Sequence, residues 1–274
     1  MILFPNAKIN IGLDIVSKRP DGYHNIETVM YPVPWRDVLE IVPAKGSETT
    51  LTVTGREVNC PAEKNLVMKA YNALSAQVGL PPVDIYLRKI IPDGAGLGGG
   101  SADAAFTLVG LNSLFALGLS DRELADIAAG LGADCPFFVY NRPMLCTGIG
   151  TDFTPVDLNL KGYGIVIVKP EVSVPTALAY SRVTPAEPTV KLADKITVLP
   201  TQWQGQIKND FESSVFPSYP EVGKIKEKLI DLGAIYASMS GSGSAVYGIF
   251  ESDILSEELT DCFPGCSVFS DKFE

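Results

Sequence analysis

Five glycines fall within seven positions in the stretch Pro92-Asp93-Gly94-Ala95-Gly96-Leu97-Gly98-Gly99-Gly100-Ser101-Ala102-Asp103. Before it, residues 83–91 are rich in branched and aromatic side chains, which predicts a strand. After it, residues 102–117 have few polar positions, which predicts a largely buried helix. The centre of the chain is therefore predicted to be a strand, a glycine loop and a helix.

This order of elements suits an anion. A helix N-terminus carries unpaired backbone N–H groups and the positive end of the helix dipole. Glycines allow the backbone to approach a ligand closely and to adopt positive φ angles. The stretch therefore predicts a phosphate-binding loop. The alternative is a flexible turn, but a flexible linker does not normally join an apolar strand to an apolar helix.

The type of phosphate loop is narrowed by what surrounds it. The Walker pattern G-x-x-x-x-G-K-[ST] is absent from the sequence. The dinucleotide pattern G-x-G-x-x-G is present at Gly94, Gly96 and Gly99, but it requires a second strand after the helix. Ser120 and Glu123 instead form a capping box that begins another helix. A dinucleotide-binding oxidoreductase therefore rests on that string alone.

Composition excludes several classes of protein. A formal net charge of −10 disfavours binding to a nucleic-acid backbone. No apolar run is long enough for a membrane span, and the N-terminus lacks the regions of a signal peptide, so we expect a cytoplasmic protein without a membrane partner. Five scattered cysteines suit free thiols in a reducing compartment. The oligomeric state stays open.

Five polar or aromatic residues outside the loop are candidates for a site. Alternation in the predicted strand 1–15 places Lys8 and Asn10 on one face, where the ordinary alternative is a solvated surface. His24, the only histidine, follows Tyr23 at the end of a turn, and the pair would suit a planar ligand or a structural role. Asp134 lies among small and apolar residues, where it either acts chemically or serves as a helix-capping or turn aspartate.

The rest of the chain alternates between helix and strand patterns, with a soft boundary near residue 155. Residues 144–152 are predicted to be a loop, and 184–205 an irregular excursion. We predict helices at 61–78, 121–131 (with Gly132 at its C-terminal cap), 221–232 and 256–263, and strands at 38–43, 50–54, 163–168, 234–239 and 245–250.

Three stretches resemble the three motifs of the GHMP kinases, a family of small-molecule kinases. They are residues 5–10, the central loop and residues 239–245, and they occur in the family's order over nearly the whole chain. The resemblance implies an α+β, two-domain architecture. Residues 1–155 would be the ATP-binding half, similar to domain 2 of ribosomal protein S5, and residues 156–274 a ferredoxin-like C-terminal half.

The resemblance also implies a nucleotide site. The loop would hold the phosphates of ATP, with Mg²⁺ bound mainly through those phosphates and its direct protein ligands left open. The third motif supplies Gly241, Ser242 and Gly243. Ala102 departs from the pattern, because many relatives carry a second serine there. The residues assigned to ATP are Pro92, Asp93, Gly94, Ala95, Gly96, Leu97, Gly98, Gly99, Gly100, Ser101 and Ala102.

Residues 7–10, 19–24 and 132–138 together resemble the members of this family whose substrate carries a cytidine diphosphate group, and residues 172–176 also match the family. Those members phosphorylate a 2-hydroxyl in the non-mevalonate route to isoprenoid precursors. The resemblance implies that Asp134 is the catalytic base and Lys8 its partner. The residues implied to bind substrate are Asn10, Tyr23, His24 and Tyr180, with the aromatic rings enclosing the cytosine.

Two alternatives to this function stay open besides the oxidoreductase. One is another GHMP kinase, acting on mevalonate, homoserine or a sugar, which would not need Tyr23, His24 and Tyr180. The other is a catalytically silent regulator that binds a nucleotide, against which the presence of both Lys8 and Asp134 argues.

Overall fold

The chain forms two compact, interleaved units. The computed structural model describes residues 1–58, 60–252 and 256–273, except for the side chains of 256–258. The first unit comprises Met1–Ala7, Trp35–Asp93 and Gly98–Arg142, and the second comprises Lys8–Pro34, Gly94–Leu97 and Pro143–Glu274. The predicted boundary near residue 155 stays a prediction.

Runs of strands and runs of helices follow one another along the described residues. The strands are β1 (Ile2–Leu3), β2 (Asn6–Lys18), β3 (His24–Arg36), β4 (Val38–Pro43), β5 (Thr50–Gly55), β6 (Val83–Lys89), β7 (Met144–Thr147), β8 (Asp152–Pro155), β9 (Gly164–Lys169), β10 (Tyr236–Met239), β11 (Val246–Phe250) and β12 (Ser267–Lys272). The helices are α1 (Leu66–Val78), α2 (Gly99–Leu114), α3 (Asp121–Ala129), α4 (Cys135–Tyr140), α5 (Thr176–Ser181), α6 (Leu192–Lys195), α7 (Glu212–Ser218), α8 (Pro220–Asp231) and α9 (Ser256–Cys262).

The first unit packs helices on a four-stranded sheet of order β1-β4-β6-β5. β4 is antiparallel to β1 and β6, whereas β5 runs parallel to β6. The buried residues of β6 alternate with more exposed ones, so one face of this strand lies in the core. α2 approaches the sheet closely, because a Cβ atom at Gly110 would lie 2.5 Å from Leu3 Cδ1.

The second unit contains two four-stranded sheets, of order β2-β3-β7-β8 and β10-β11-β9-β12. β9 and β11 are buried along their whole length, as expected for central strands covered on both faces. Apolar residues of α7 and α8 share a core with β9, β10 and β11, including Val215, Val222 and Leu229. This core holds in place the third glycine motif, which follows β10.

Several sequence predictions are confirmed. β4 has the predicted bounds, and the Ser120–Glu123 capping box is present at the start of α3. The predicted strand 83–91 is β6, two residues shorter at its end. Strands 163–168, 234–239 and 245–250 correspond to β9, β10 and β11 within two residues.

Other boundaries are wrong for identifiable reasons. The helix predicted from Pro61 is divided in two. A 3₁₀ helix occupies Ala62–Lys64, and α1 begins only at Leu66, because the Asn65 side chain caps it by accepting from Val67 N. α3 ends at Ala129, so Gly132 is not its C-terminal cap. Residues 144–152 are not a loop: β7 and β8 pair across a turn at Gly148 and Gly150, whose φ angles are 65° and 93°.

The helix after the glycine loop was placed three residues too late. α2 begins at Gly99 and ends at Leu114, so two of the loop glycines form its first turn. The excursion 184–205 is largely irregular, as predicted, but it contains α6 and buries Leu192 and Trp203. No helix in the described part of the chain has the length and apolar character to cross a membrane.

Candidate active site

The glycine loop has the backbone conformation that an anion cradle requires. Gly94, Gly96 and Gly98 have φ angles of 60°, 74° and 71°, a region that glycine occupies without strain. Gly98 is the N-cap of α2, and among the described residues no side chain caps this helix start. The first N–H groups of a 16-residue helix therefore lie directly after the loop.

Gly96 tolerates no side chain for a second reason. A Cβ atom there would lie 2.0 Å from Ser240 O, in the third glycine motif. Ser240 Oγ donates to Gly96 O at 2.8 Å, and Ala245 N donates to Ala95 O at 3.1 Å. The two glycine motifs that the sequence places about 145 residues apart are thus in direct contact within the second unit.

Lys8 is buried on β2, with 3% of its surface exposed, so it does not lie on a solvated strand face. Its Nζ donates to Asn10 Oδ1, and Asn10 Nδ2 donates to Thr28 Oγ1 at 3.0 Å. The backbone N–H of Lys8 donates to Leu97 O of the glycine loop at 2.9 Å. A buried ammonium group is therefore fixed in position beside the loop.

Asp134 lies in the turn that precedes α4, in the first unit. It occupies the N-cap position, but among the described residues its side chain makes no capping bond to α4, so helix capping does not account for this aspartate. Ser101, in the first turn of α2, lies near this turn: a Cβ atom at Gly132 would lie 4.0 Å from Ser101 Oγ. The half-buried carboxyl group is thus close to the start of α2.

Cys135, next to Asp134, is a buried thiol rather than a nucleophile. Burial raises its pKa to about 11, the bond from Ser101 lowers it, and the charge of Asp134 raises it. A thiol with this pKa is protonated at neutral pH. Of these two neighbouring side chains, the Asp134 carboxyl group is therefore the candidate for catalysis.

Of the three aromatic residues assigned to the substrate, two stack on each other and the third lies at the surface. His24, at the start of β3, stacks on Tyr180 of α5 with ring centroids 4.7 Å apart and an interplanar angle of 20°. Phe211 supports the Tyr180 ring edge-on at 4.7 Å. Tyr23 is 63% exposed and lies at the surface. Their assignment to a cytosine stays a prediction.

Sequence reasoning missed a buried charge cluster in the first unit. Lys89 Nζ contacts Asp37 Oδ2 at 2.5 Å and Asp103 Oδ2 at 2.8 Å. Asp37 Oδ1 accepts from Ile90 N and Ile91 N, just before the glycine loop. Burial is the largest cause and raises the pKa of Asp103 to about 7. The charge and hydrogen bond of Lys89 lower this pKa, whereas those of Asp37 raise it.

A cavity of about 170 Å³ adjoins this cluster in the first unit. Asp103 Oδ1 is buried and makes no hydrogen bond to any part of the chain that the structure describes. Gly100 of the glycine loop and Leu66 at the start of α1 also contribute to the walls. The cavity is lined by Val58, Cys60, Lys64, Asn65, Leu66, Leu87, Lys89, Asp93, Gly100 and Asp103.

Two hydroxyl groups in the second unit were also missed or only partly identified. Thr176 Oγ1 and Ser242 Oγ lie 3.4 Å apart at the surface. The segment before Thr176 is joined to the third motif, because Ser244 Oγ donates to Val172 O at 2.5 Å. The sequence signal for Thr176 was present in the family-like string 172–176, but its proximity to Ser242 requires the fold.

Comparison with known proteins identifies the family. Residues 65–142 match the model for the GHMP kinases N terminal domain, and residues 201–264 match the model for the GHMP kinases C terminal domain. These matches bear out the predicted α+β, two-domain GHMP architecture.

Close relatives cover nearly the whole chain. The 4-diphosphocytidyl-2-C-methyl-D-erythritol kinase of Parabacteroides distasonis is 54% identical over 96% of this chain and 97% of its own. The enzyme of the same name from Bacteroides fragilis (strain YCH46) is 54% identical over 92% of this chain and 93% of its own.

A solved structure agrees with these relatives. The crystal structure of a 4-(cytidine 5'-diphospho)-2C-methyl-D-erythritol kinase is 30% identical, has a TM-score of 0.83 and is covered completely, as is this chain. The mevalonate kinase of Methanococcus jannaschii, at 14% identity and a TM-score of 0.66, shares the fold over 100% of this chain and 98% of its own. The chain therefore belongs to the GHMP kinase family, among relatives named 4-diphosphocytidyl-2-C-methyl-D-erythritol kinase.

Proposed function

We propose that this protein transfers the γ-phosphoryl group of ATP to the 2-hydroxyl of 4-diphosphocytidyl-2-C-methyl-D-erythritol, in the non-mevalonate route to isoprenoid precursors. The observation that carries the proposal is the buried Lys8, bonded to Leu97 of the glycine loop through its backbone. A fixed cation beside a phosphate loop is what phosphoryl transfer requires, since the reaction depends on positioning and on neutralising charge.

In this proposal Asp134 accepts the proton of the 2-hydroxyl. The oxygen forms a bond to the γ-phosphorus as the bond from phosphorus to the β,γ-bridging oxygen breaks, and ADP leaves. Lys8 stabilises charge on the transferring phosphoryl group. Asn10 keeps the Lys8 ammonium in place, because its Oδ1 accepts from Nζ.

The aromatic residues are proposed to bind the cytosine. The stacked rings of His24 and Tyr180 offer a planar surface, and Tyr23 supplies an exposed ring on the same segment as His24. A base that enters between His24 and Tyr180 must separate their rings. Thr176 and Ser242, whose hydroxyls lie 3.4 Å apart, are proposed to donate to the diphosphate of this substrate.

Mg²⁺ is proposed to bind mainly through the phosphates of ATP. The described residues contain no group of three side chains that would hold a metal alone, which fits a cation that prefers phosphate oxygens and few protein ligands. Ser101, in the first turn of α2, supplies a hydroxyl of the right kind. When bound, Mg²⁺ neutralises charge on the phosphates. We place the reaction in the cytoplasm.

An ADP-release assay with Mg²⁺ and ATP tests the proposal against its nearest alternatives. The acceptors are 4-diphosphocytidyl-2-C-methyl-D-erythritol, mevalonate, homoserine and galactose. Turnover with the first alone supports the proposal. Turnover with another acceptor keeps the kinase and removes the cytosine site, whereas silence with all four favours a nucleotide-binding regulator.

A further inference from the structure

Asn209 is a buried amide that the sequence did not single out. Only 2% of its surface is exposed. Its Nδ2 donates to Met239 O and to Gly241 O, both at 2.8 Å, and its Oδ1 accepts from Phe211 N at 3.0 Å. All three of these bonds are to backbone, so the side chain joins its own segment to both ends of the turn 239–241.

That turn supports the glycine loop from the other side. Ser240 lies between the two carbonyls that Asn209 binds, and its Oγ donates to Gly96 O. Ser240 Oγ also accepts a hydrogen bond from Asn10 N, at 3.3 Å. A Cβ atom at Gly241 would lie 3.3 Å from Asn10 Oδ1 and 3.5 Å from Gly96 Cα. A shift of this turn would therefore move both the loop and the residue that holds Lys8.

The segment that carries Asn209 is itself fixed to β2. Leu13 N donates to Lys208 O at 2.9 Å, and Asp210 N donates to Leu13 O at 2.8 Å. Asp210 Oδ2 accepts from Ile15 N at 2.8 Å. Asn209 thus ties the turn to the strand that bears Lys8 and Asn10, through contacts that all lie within the second unit.

We propose that Asn209 is a positioning residue for phosphoryl transfer, which acts through the Ser240 turn on Gly96 of the ATP loop and on Asn10. The inference rests on the proposed function, because it takes Gly96 to contact the nucleotide phosphates. Asn209 itself touches neither substrate nor nucleotide in this account.

A double-mutant cycle on Mg²⁺-ATP affinity tests this inference in the full chain, measured by calorimetry without an acceptor. We expect Asn209→Ala and Ser240→Ala each to raise the Kd by about tenfold, and the double variant by about tenfold rather than a hundredfold, since residues in one network are not additive. Unchanged affinity in Asn209→Ala, or a hundredfold loss in the double variant, would overturn the proposal.

Asn112 provides a matched control. It is also an asparagine bonded to backbone through both side-chain atoms, to Leu119 O at 2.9 Å and from Leu119 N at 3.0 Å, at the far end of α2 from the loop. Asn112→Ala should lower the melting temperature and leave the Kd for ATP within about twofold. An equal loss of ATP affinity in this control would reduce Asn209 to a general structural role and overturn the proposal.

A second variant covers the case in which Asn209→Ala does not fold. Asn209→Asp keeps the size and the acceptor for Phe211 N but loses the two donors. The new carboxyl group faces two carbonyl oxygens, so it should be protonated more readily than a free aspartate and then donate to one of them. The ratio of its Kd for ATP to that of the wild type should therefore decrease as the pH is lowered from 8 to 6. A ratio that does not change with pH would contradict the proposal.

These measurements separate the two levels of the account. If the wild-type protein binds ATP but does not phosphorylate the cytidine substrate, the proposed acceptor is wrong. The double-mutant cycle on ATP affinity can still be measured in that case. Wild-type protein that turns over normally while the Asn209 variants bind ATP unchanged contradicts only the role of Asn209.

Discussion

Asp134 is the residue to which the proposed mechanism assigns the proton of the 2-hydroxyl. It stands at the N-cap of α4, but among the described residues it does not cap that helix. Replacing it with Asn keeps the size and removes the base. Because general-base catalysis contributes about 10²- to 10⁴-fold, Asp134→Asn should lose turnover by that factor in steady-state assays and keep its affinity for ATP.

The control for this variant is Asp126→Asn, which removes an exposed carboxyl group from α3 in the same unit. It should leave turnover unchanged. Near-normal turnover in Asp134→Asn would remove this residue from the mechanism. Loss of ATP affinity as large as the loss of turnover would instead assign it to nucleotide binding.

Tyr180 tests the cytosine site at the same scale. Stacking a base on an aromatic ring is worth about 1–3 kcal/mol, so Tyr180→Ala should raise KM for the cytidine substrate by about tenfold and lower kcat less. Tyr23→Ala should act in the same direction. Tyr86→Ala, which removes a 44% exposed ring from β6, is the control and should leave KM unchanged. Unaltered KM in both site variants would argue against an aromatic cytosine site.

At the scale of elements, the glycine loop depends on contact as well as on backbone freedom. Gly96 and Gly79 both have positive φ, but a Cβ atom at Gly96 would meet Ser240 O at 2.0 Å, whereas one at Gly79 meets nothing within 4 Å. Ala at either position costs about 1–2 kcal/mol in backbone strain. Only Gly96→Ala must also displace the loop.

We therefore expect Gly96→Ala to raise the Kd for ATP by about tenfold or more, whereas Gly79→Ala should only lower the melting temperature. Calorimetric titration with ATP and thermal unfolding of both variants check this difference. Equal ATP affinities in the two variants would show that the contact with Ser240 does not shape the loop.

The cluster of Lys89, Asp37 and Asp103 gives the first unit a pH dependence. Burial outweighs the attraction of Lys89 and raises the pKa of Asp103 to about 7, against about 3.9 in an unfolded chain. A folded state that holds a proton more tightly is favoured at low pH. This contribution is complete below about pH 4 and is lost as the pH rises through about 7.

Urea unfolding at pH 5 and pH 8 measures this contribution. The free energy of unfolding of the wild type, minus that of Asp103→Asn, should be smaller at pH 8 than at pH 5. The variant serves as the reference because it has no carboxyl group to titrate at this position. A difference that is constant or that rises with pH would contradict the raised pKa of Asp103.

Local patterns predicted the elements whose signals lie within a few residues. The Ser120–Glu123 capping box and the strand at 38–43 are examples, and both are confirmed. The hairpin of β7 and β8 was missed because Gly148 and Gly150 also suit an irregular loop, and only pairing with a partner strand distinguishes the two. The predicted start of α2 is three residues too late because glycine is a poor helix former, so Gly99 and Gly100 do not look helical in the sequence.

At the scale of the whole molecule, the limits of prediction concern contacts between distant residues. The three motifs were identified from sequence, because each is a contiguous string. The stack of His24 on Tyr180, the amide of Asn209 and the pairing of Lys89 with Asp37 join residues 30 to 156 positions apart. No local pattern encodes such contacts, since they depend on the packing of each unit.

Product analysis tests the proposed phosphorylation of the 2-hydroxyl directly. Purified protein is incubated with Mg²⁺, ATP and 4-diphosphocytidyl-2-C-methyl-D-erythritol, and the products are identified by phosphorus and carbon NMR. The proposed reaction predicts one ADP for each new phosphate, attached at the 2-position of the methylerythritol. A phosphate at another hydroxyl, or ADP released without a phosphorylated product, would contradict it.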